Sequence, residues 1–265
     1  MNYLDYKAYF TKKNIFNILN EPEFNKSMFI QNVEQHYISL ENEYRNEYFF
    51  KNTLFNNIFL RNYSLNTAVA LSEIKVAKSK PDFVIINNLN SIVYEIKTDL
   101  DNLDRLVYQI SDYYKVFSHV YIVTTEQYYY PVYKTISKYY KNIGIIVLTN
   151  RNRLSIKRKS IINNDDLDYL TLFKLLRKNE YQNLIMKYYD VPDNIRPVDH
   201  FDNYFYYFKL LEKTKAQKEV LKTIKKRYLP NPTNYIEKIP KEVNWLIYSA
   251  NLSDKNYTDL LNKIY

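Results

Sequence analysis

Residues 81–97, PDFVIINNLNSIVYEIK, decide how the chain folds. Two β-rich runs, 83–86 and 91–97, flank a polar turn at Asn87-Asn88-Leu89-Asn90. The reading is a hairpin. Side chains alternate faces along a strand, so Glu95 and Lys97 point one way while Tyr94 and Ile96 point the other. If Asn87 pairs with Ile92, the register sets Asp82 opposite Lys97 and diagonal to Glu95. Asp82, Glu95 and Lys97 then share one patch. Two carboxylates beside an ammonium suit a hard cation such as Mg²⁺, which takes oxygen ligands. They also suit phosphodiester hydrolysis, where water must be activated and charge at phosphorus stabilised.

Working outward, residues 99–117 read as a helix capped by Thr98 or Asp99, with Asp101 in its first turn favouring the dipole. Leu103, Leu106, Val107, Ile110, Tyr114 and Phe117 form its core stripe. Arg105, Gln109 and Tyr113 form a ridge along one edge of that stripe, placed to lean over the patch. Further strands are expected at 67–76, 120–125 and 144–149, a basic edge strand at 151–159, and a helix near 132–142. Residues 1–40 read as short helices and 41–60 as one helix. Beyond about 165 the β signal stops, and helices are expected at 167–189, 199–228 and 241–264. This gives an N-terminal helical extension (1–40), an α/β core (41–160) and a basic helical extension (161–265).

The 265 residues include no cysteine and three histidines, His36, His119 and His200, scattered along the chain. Disulfides and thiolate zinc sites are excluded, and a zinc enzyme is disfavoured. No apolar run approaches the length of a membrane span, and the first residues lack a signal-peptide pattern. The expectation is a soluble cytoplasmic protein with no membrane partner. Net charge is +9, unevenly placed. Residues 1–150 hold 16 Lys and Arg against 15 Asp and Glu, while residues 151–265 hold 22 against 14. A basic face of this kind suits a polyanion, or is simply solvated. Eight basic residues lie between Lys209 and Arg227, around an apolar stripe of Leu210, Leu211, Leu221 and Ile224. The 30 tyrosines and single glycine read as the codon bias of an AT-rich genome. The clusters at 128–130 and 204–208 read as core before base-stacking platforms.

Pro81-Asp82, Glu95-Ile96-Lys97 and Gln109-Ile110-Ser111-Asp112-Tyr113 together resemble the PD-(D/E)XK nuclease superfamily, in its RecB-like branch with a Q-x-x-x-Y helix. More closely, Tyr94 to Lys97 followed by Asp101, Leu103, Arg105-Leu106 and Gln109 is similar to a little-characterised bacterial and phage family known by a locus-tag name. The resemblance covers residues 41–150 well. It implies an α/β fold with a restriction-endonuclease-like αβββαβ core and a mixed central sheet, hydrolysing DNA with Mg²⁺, for which Mn²⁺ would substitute. It makes Asp82 and Glu95 metal ligands, with the Ile96 carbonyl as an added one, and Lys97 the group that positions or activates water. Gln109 and Tyr113 would contact DNA or brace the site, and Arg105 would contact DNA. The superfamily often adds one more acidic ligand, for which Glu47 and Glu73 are both candidates here.

Other fragments of the motif occur. Asp5-Tyr6-Lys7 and Glu73-Ile74-Lys75 repeat the acidic-x-Lys pattern without an upstream Pro-Asp, and Pro192-Asp193 has no acidic-x-Lys after it. Only residues 82, 95 and 97 complete the set. The rival reading keeps the fold without turnover, as a nucleic-acid-binding or partner-recruiting module. RNA stays open as a substrate, as do a homodimer, which would suit two-strand cleavage, and a partner protein.

Overall fold

A computed structural model describes residues 9–14, 17, 21–192, 194–229 and 236–264. Asp5-Tyr6-Lys7 and Asp193 lie outside them. In chain order the elements are α1 (Lys26–Glu43), α2 (Glu47–Leu54), β1 (Val69–Leu71), β2 (Phe83–Ile86), β3 (Ser91–Lys97), α3 (Leu106–Tyr114), β4 (His119–Thr125), α4 (Tyr129–Ser137), β5 (Gly144–Leu148), β6 (Leu154–Arg158), α5 (Tyr169–Lys174), α6 (Lys178–Met186), α7 (His200–Lys209), α8 (Lys213–Tyr228), α9 (Asn244–Ala250) and α10 (Asp254–Ile264). After α2 the helix widens into a π-turn, Phe55–Phe59, and ends in Leu60–Asn62. The protein is of the α/β class, with one six-stranded mixed sheet.

The chain forms two compact units, Met1–Thr67 with Leu229–Tyr265, and Ala68–Tyr228. These differ from the boundaries expected at 40 and 160. In the first unit, chain segments far apart in sequence are joined by polar bonds. Asn52 Nδ2 donates to the Lys241 carbonyl and Tyr48 Oη to the Glu242 carbonyl, while Asn52 Oδ1 accepts the Trp245 N–H. Phe55, Trp245 and Tyr248 pack as rings between them. The helix expected over 41–60 begins only at Glu47, because Asn46 caps it by accepting the Phe49 N–H.

In the second unit the sheet runs β1-β2-β3-β4-β5-β6. The first three strands and the last pair are antiparallel, while β3, β4 and β5 are parallel. Parallel neighbours need a crossover. Helix α3 supplies it from β3 to β4 and α4 from β4 to β5, and both pack on β4 and on each other. Leu106, Ile110, Tyr113, Tyr114 and Phe117 are all fully buried on the α3 side, close to the stripe read from sequence.

The hairpin register differs from the expected one. Ile86 pairs with Ser91 and Phe83 with Tyr94, which puts Asp82 across from Glu95 rather than Lys97. The cause lies in the turn. Asn87 Oδ1 accepts the N–H groups of Leu89 and Asn90, and the Asn87 N–H bonds the Asn90 carbonyl, so all four residues belong to the loop. The slip is two residues. With a period of two it leaves every side chain on its expected face.

On the sheet face opposite Glu95, Phe83, Tyr94, Tyr121 and Gly144 form one row across four strands. The rings of Tyr94 and Tyr121 stack at 5.6 Å. The chain's one glycine ends the row for a steric reason. A Cβ at Gly144 would sit 2.2 Å from the Tyr121 ring and 2.9 Å from the Ser160 nitrogen.

Several elements are shorter than expected. The strand at 67–76 is only Val69–Leu71, because Glu73 and Ala77 adopt left-handed φ values of 59° and 51°. The helix expected from 99 starts at Leu106. Before it, Asp101 Oδ2 accepts the Thr98 N–H and hydroxyl, and Asn102 Oδ1 accepts the Asp104 N–H, so side chains turn the backbone locally instead. The single helices expected at 167–189 and 199–228 are each two. Phe208 of the second pair, with Phe173 and Tyr181 of the first, lines a shared core. Buried Gln217 fastens α8 to the sheet, donating to the Val116 carbonyl at 2.7 Å and to Ser118 Oγ at 3.0 Å. Among the described residues, no helix is long and apolar enough to cross a membrane.

Candidate active site

The site lies where β3 ends, beside the start of the crossover to α3. Glu95 is 1% exposed. Its Oε1 accepts from Lys97 Nζ at 2.7 Å and from Gln109 Nε2 at 2.6 Å. Its Oε2 accepts from Tyr113 Oη at 2.6 Å. A buried carboxylate costs several kcal/mol unless paired and hydrogen-bonded, and here three donors converge on it. Gln109 and Tyr113 lie one helical turn apart on α3, so a single ridge meets both carboxylate oxygens.

Asp82 is half-buried just before β2. Backbone pairing has stopped there, and its Oδ2 takes the Ile96 N–H at 2.7 Å. A carboxylate oxygen of Glu73 lies within 4.8 Å of one of Asp82. Glu73 is exposed, not strand-bound, and lies 3.9 Å from Lys80 Nζ. Glu47 lies in the first unit, where it opens α2 and pairs with Lys51.

Lys97 is itself buried. Burial alone lowers an ammonium's pKa. The charge and hydrogen bond of Glu95, then the charges of Asp82 and Asp101, outweigh it and raise the pKa above the usual lysine value. Lys97 is therefore a cation at neutral pH. The Tyr113 hydroxyl is pushed far up by burial and by Glu95 beside it, so it stays a donor.

Thr124 of β4 lies in register with Lys97 and so shares its face. Its hydroxyl is fully buried and has no hydrogen-bond partner among the described residues. Sequence reading had no signal for it, since it stands inside an apolar strand. Arg105 is exposed at the N-cap of α3. No ion pair between Arg105 and Asp101 is formed. Tyr128 leans on the 98–105 loop through a 2.6 Å bond from its hydroxyl to the Asp101 carbonyl.

The donor set fits a hard divalent cation. Asp82, Glu95, Glu73 and the Ile96 carbonyl offer only oxygen, with no thiolate or imidazole among them. The two Glu95 oxygens together offer about four acceptor positions, and the three described donors leave room for one more partner.

A second residue escaped sequence reading. Asp112 is 9% exposed on α3. Its Oδ2 accepts the Lys78 N–H at 3.1 Å and Ser79 Oγ at 2.8 Å, and its Oδ1 accepts Lys115 Nζ at 2.7 Å. The only clue in sequence was the three-residue spacing from Asp112 to Lys115.

The basic helix α8 sits elsewhere. Lys225 bonds Asn88 in the hairpin turn, and Gln217 bonds the segment that leads into β4. Both contacts mark the end of the sheet where β3 and β4 begin. Lys97 is at the other end of β3, about 20 Å away at the strand rise of ~3.3 Å per residue. On α8, Lys218, Lys222 and Lys226 are exposed, while neighbouring Arg227 is locked to Glu180 and Glu219 binds Lys187. In the 204–208 cluster, Phe205 and Phe208 pack on Phe173 and Tyr204 on Tyr181.

The family model described as Bacteriophage P4 protein cII matches residues 40–248. No curated protein and no solved structure matches the chain.

Proposed function

We propose that this chain, which belongs to the bacteriophage P4 protein cII family, is a divalent-metal-dependent nuclease of PD-(D/E)XK type acting on DNA. One observation carries the reading. Lys97, Gln109 and Tyr113, the residues that define the motif and its helix, all donate to the one buried carboxylate of Glu95. Residues that merely resembled a motif by chance would have no reason to meet. Within the second unit the order β1, β2, β3, α3, β4 is also in keeping with the βββαβ part of a restriction-endonuclease-like core. The family's name describes no chemistry, so the reading rests on the site.

In this reading Asp82, Glu95 and the Ile96 carbonyl hold Mg²⁺ or Mn²⁺, with Glu73 beside Asp82. The bound ion supplies Lewis acidity and a more acidic water. The protein's own groups do the rest. Gln109 and Tyr113 fix the Glu95 carboxylate so that it does not reorganise. Lys97, held as a cation by Glu95, orients the attacking water and offsets negative charge growing at phosphorus. Tyr113 is fully buried and acts as a brace, whereas Gln109 is only half-buried and Arg105, at the N-cap of α3, is exposed, so both are within reach of a nucleic acid.

A panel of linear, circular and single-stranded DNA, and RNA, incubated with Mg²⁺, Mn²⁺ or EDTA tests the reading. Metal-dependent cutting of DNA supports it, and cutting of RNA alone would change its substrate. No cutting of any substrate would favour the second reading, a binding module without turnover, which the exposed lysines on α8 also suit.

A further inference from the structure

Asp82 stands at the end of an unusual connection. From Leu71 the chain passes Glu73 and Ala77, both in the left-handed region that non-glycine residues rarely enter. It closes a tight turn in which the Val76 N–H bonds the Ser79 carbonyl at 2.8 Å and the Ser79 N–H returns to the Val76 carbonyl at 2.9 Å. Lys80, Pro81 and Asp82 follow at once. Such a backbone persists only when its surroundings fix it. Its ends are joined by the Glu73 N–H bonding the Pro81 carbonyl at 3.1 Å, and its turn is held from α3 by the Asp112 carboxylate, which grips the Lys78 N–H and the Ser79 hydroxyl.

We propose that Asp112 is a positioning residue for Asp82, latching the 76–79 turn to the same helix that holds Glu95. Asp112 and Tyr113 are neighbours on α3, about 100° apart around its axis. One points to the turn before Asp82, the other to Glu95. A helix is stiff on the scale of one turn, so the two carboxylates keep a fixed spacing. Asp82 is the third residue after Ser79, at most about 10 Å of chain away. The fixed φ of Pro81 removes slack from that link. Movement of the turn therefore reaches Asp82. Lys115 holds the far oxygen of Asp112 and keeps it aimed. The metal-related part of this inference rests on the nuclease reading; the latch itself does not.

Amide hydrogen exchange by NMR on the full chain tests the latch with no metal present. The reporter is the Ile96 N–H, which is bound to Asp82 Oδ2. In Asp112→Ala its protection falls by on the order of tenfold, the scale of one lost hydrogen bond to a charged group, while Val93 and Ile92 of the same strand are unchanged. Asp112→Asn keeps an acceptor for Lys78 and Ser79 and restores much of the protection. Ser79→Ala, a milder change, gives a partial loss. Unchanged Ile96 protection in Asp112→Ala would overturn the proposal, as would equal loss at every amide of β3, which marks general loosening. Calorimetric Mn²⁺ titration runs beside it. Mn²⁺ binding weakened about tenfold by Asp112→Ala in the wild-type background, with no further weakening in Asp82→Ala, ties the latch to the metal. Absence of Mn²⁺ binding in the wild type sinks the metal reading and leaves the exchange result to decide the latch.

Discussion

Tyr113 and Glu95 stand 18 residues apart in the chain and share a 2.6 Å hydrogen bond in the interior, from the phenol to Oε2. The other oxygen of Glu95 receives Lys97 and Gln109. The two sides of the carboxylate therefore differ in redundancy, and this gives an order of effects. Tyr113→Phe leaves Oε2 without its described donor, which costs about 1.5–3 kcal/mol for a bond to a charged group. Gln109→Ala leaves Oε1 still paired with Lys97 and costs less, about 1 kcal/mol. Urea unfolding of both variants checks the order, and a larger loss in Gln109→Ala would contradict it.

Asp112 sets an acid limit on stability. Burial raises a carboxyl pKa, but the bonds from Lys115, Ser79 and the Lys78 N–H outweigh it and hold Asp112 below the usual aspartate value. A folded pKa that is depressed stabilises the protein above the unfolded value, about 3.9, and the benefit is lost as pH falls through the folded value. The stability gap between wild type and Asp112→Asn should be constant above pH ~5 and shrink below pH ~4. Unfolding curves at pH 7, 5 and 3.5 measure it. A gap that widens on acidification would contradict the assignment.

How much of this is legible in the sequence varies by element. β3 and its turn can be read because Asn87 to Asn90 interrupts two apolar runs and leaves no other break. The expected register is two residues out because Asn87 looks like a strand end, whereas its own side chain closes the turn. The expected start of α3 is seven residues early. Nothing in an apolar count reveals that Asp101 and Asn102 bend the backbone with their side chains. Glu95, Lys97, Gln109 and Tyr113 meet as the spacing along strand and helix suggests, since periodicity fixes faces even when register is uncertain. Asp112 and Thr124 escape a sequence reading for the opposite reason. Their significance lies in hydrogen bonds made, or left unmade, by tertiary structure, and neither breaks a local pattern. Glycine scarcity reads as composition alone, yet position 144 has a steric demand of its own.

That demand is testable. A methyl at Gly144 meets the Tyr121 ring and the backbone nitrogen of Ser160. Gly144→Ala should lose about 1–3 kcal/mol, the scale for overpacking. Adding Tyr121→Leu should recover part of it by freeing the ring's space. Thermal unfolding of the single and double variants measures the coupling. A Gly144→Ala protein as stable as wild type would show that no such row is formed.

The basic face of α8 and the acidic cluster occupy opposite ends of β3. Exposed Lys218, Lys222 and Lys226 should therefore hold nucleic acid without touching the reacting bond. Reversing all three to Glu should weaken binding at low salt and flatten the salt dependence, by about one unit of log–log slope for each phosphate no longer neutralised. The turnover rate at saturating substrate should stay unchanged. Fluorescence anisotropy across a salt series reads the first effect and cleavage at high substrate the second. An unaltered slope would remove α8 from the nucleic-acid interface.

Whether Asp82, Glu95 and Lys97 form a working hydrolytic centre is measured most directly by DNA cleavage with Mg²⁺ by wild type, Asp82→Ala and Lys97→Ala, each first shown to unfold cooperatively. A working centre gives cutting by the wild type that EDTA stops, and a loss of at least about a hundredfold in each variant. Folded variants that cut as fast as the wild type would place the chemistry elsewhere in the protein and end this assignment.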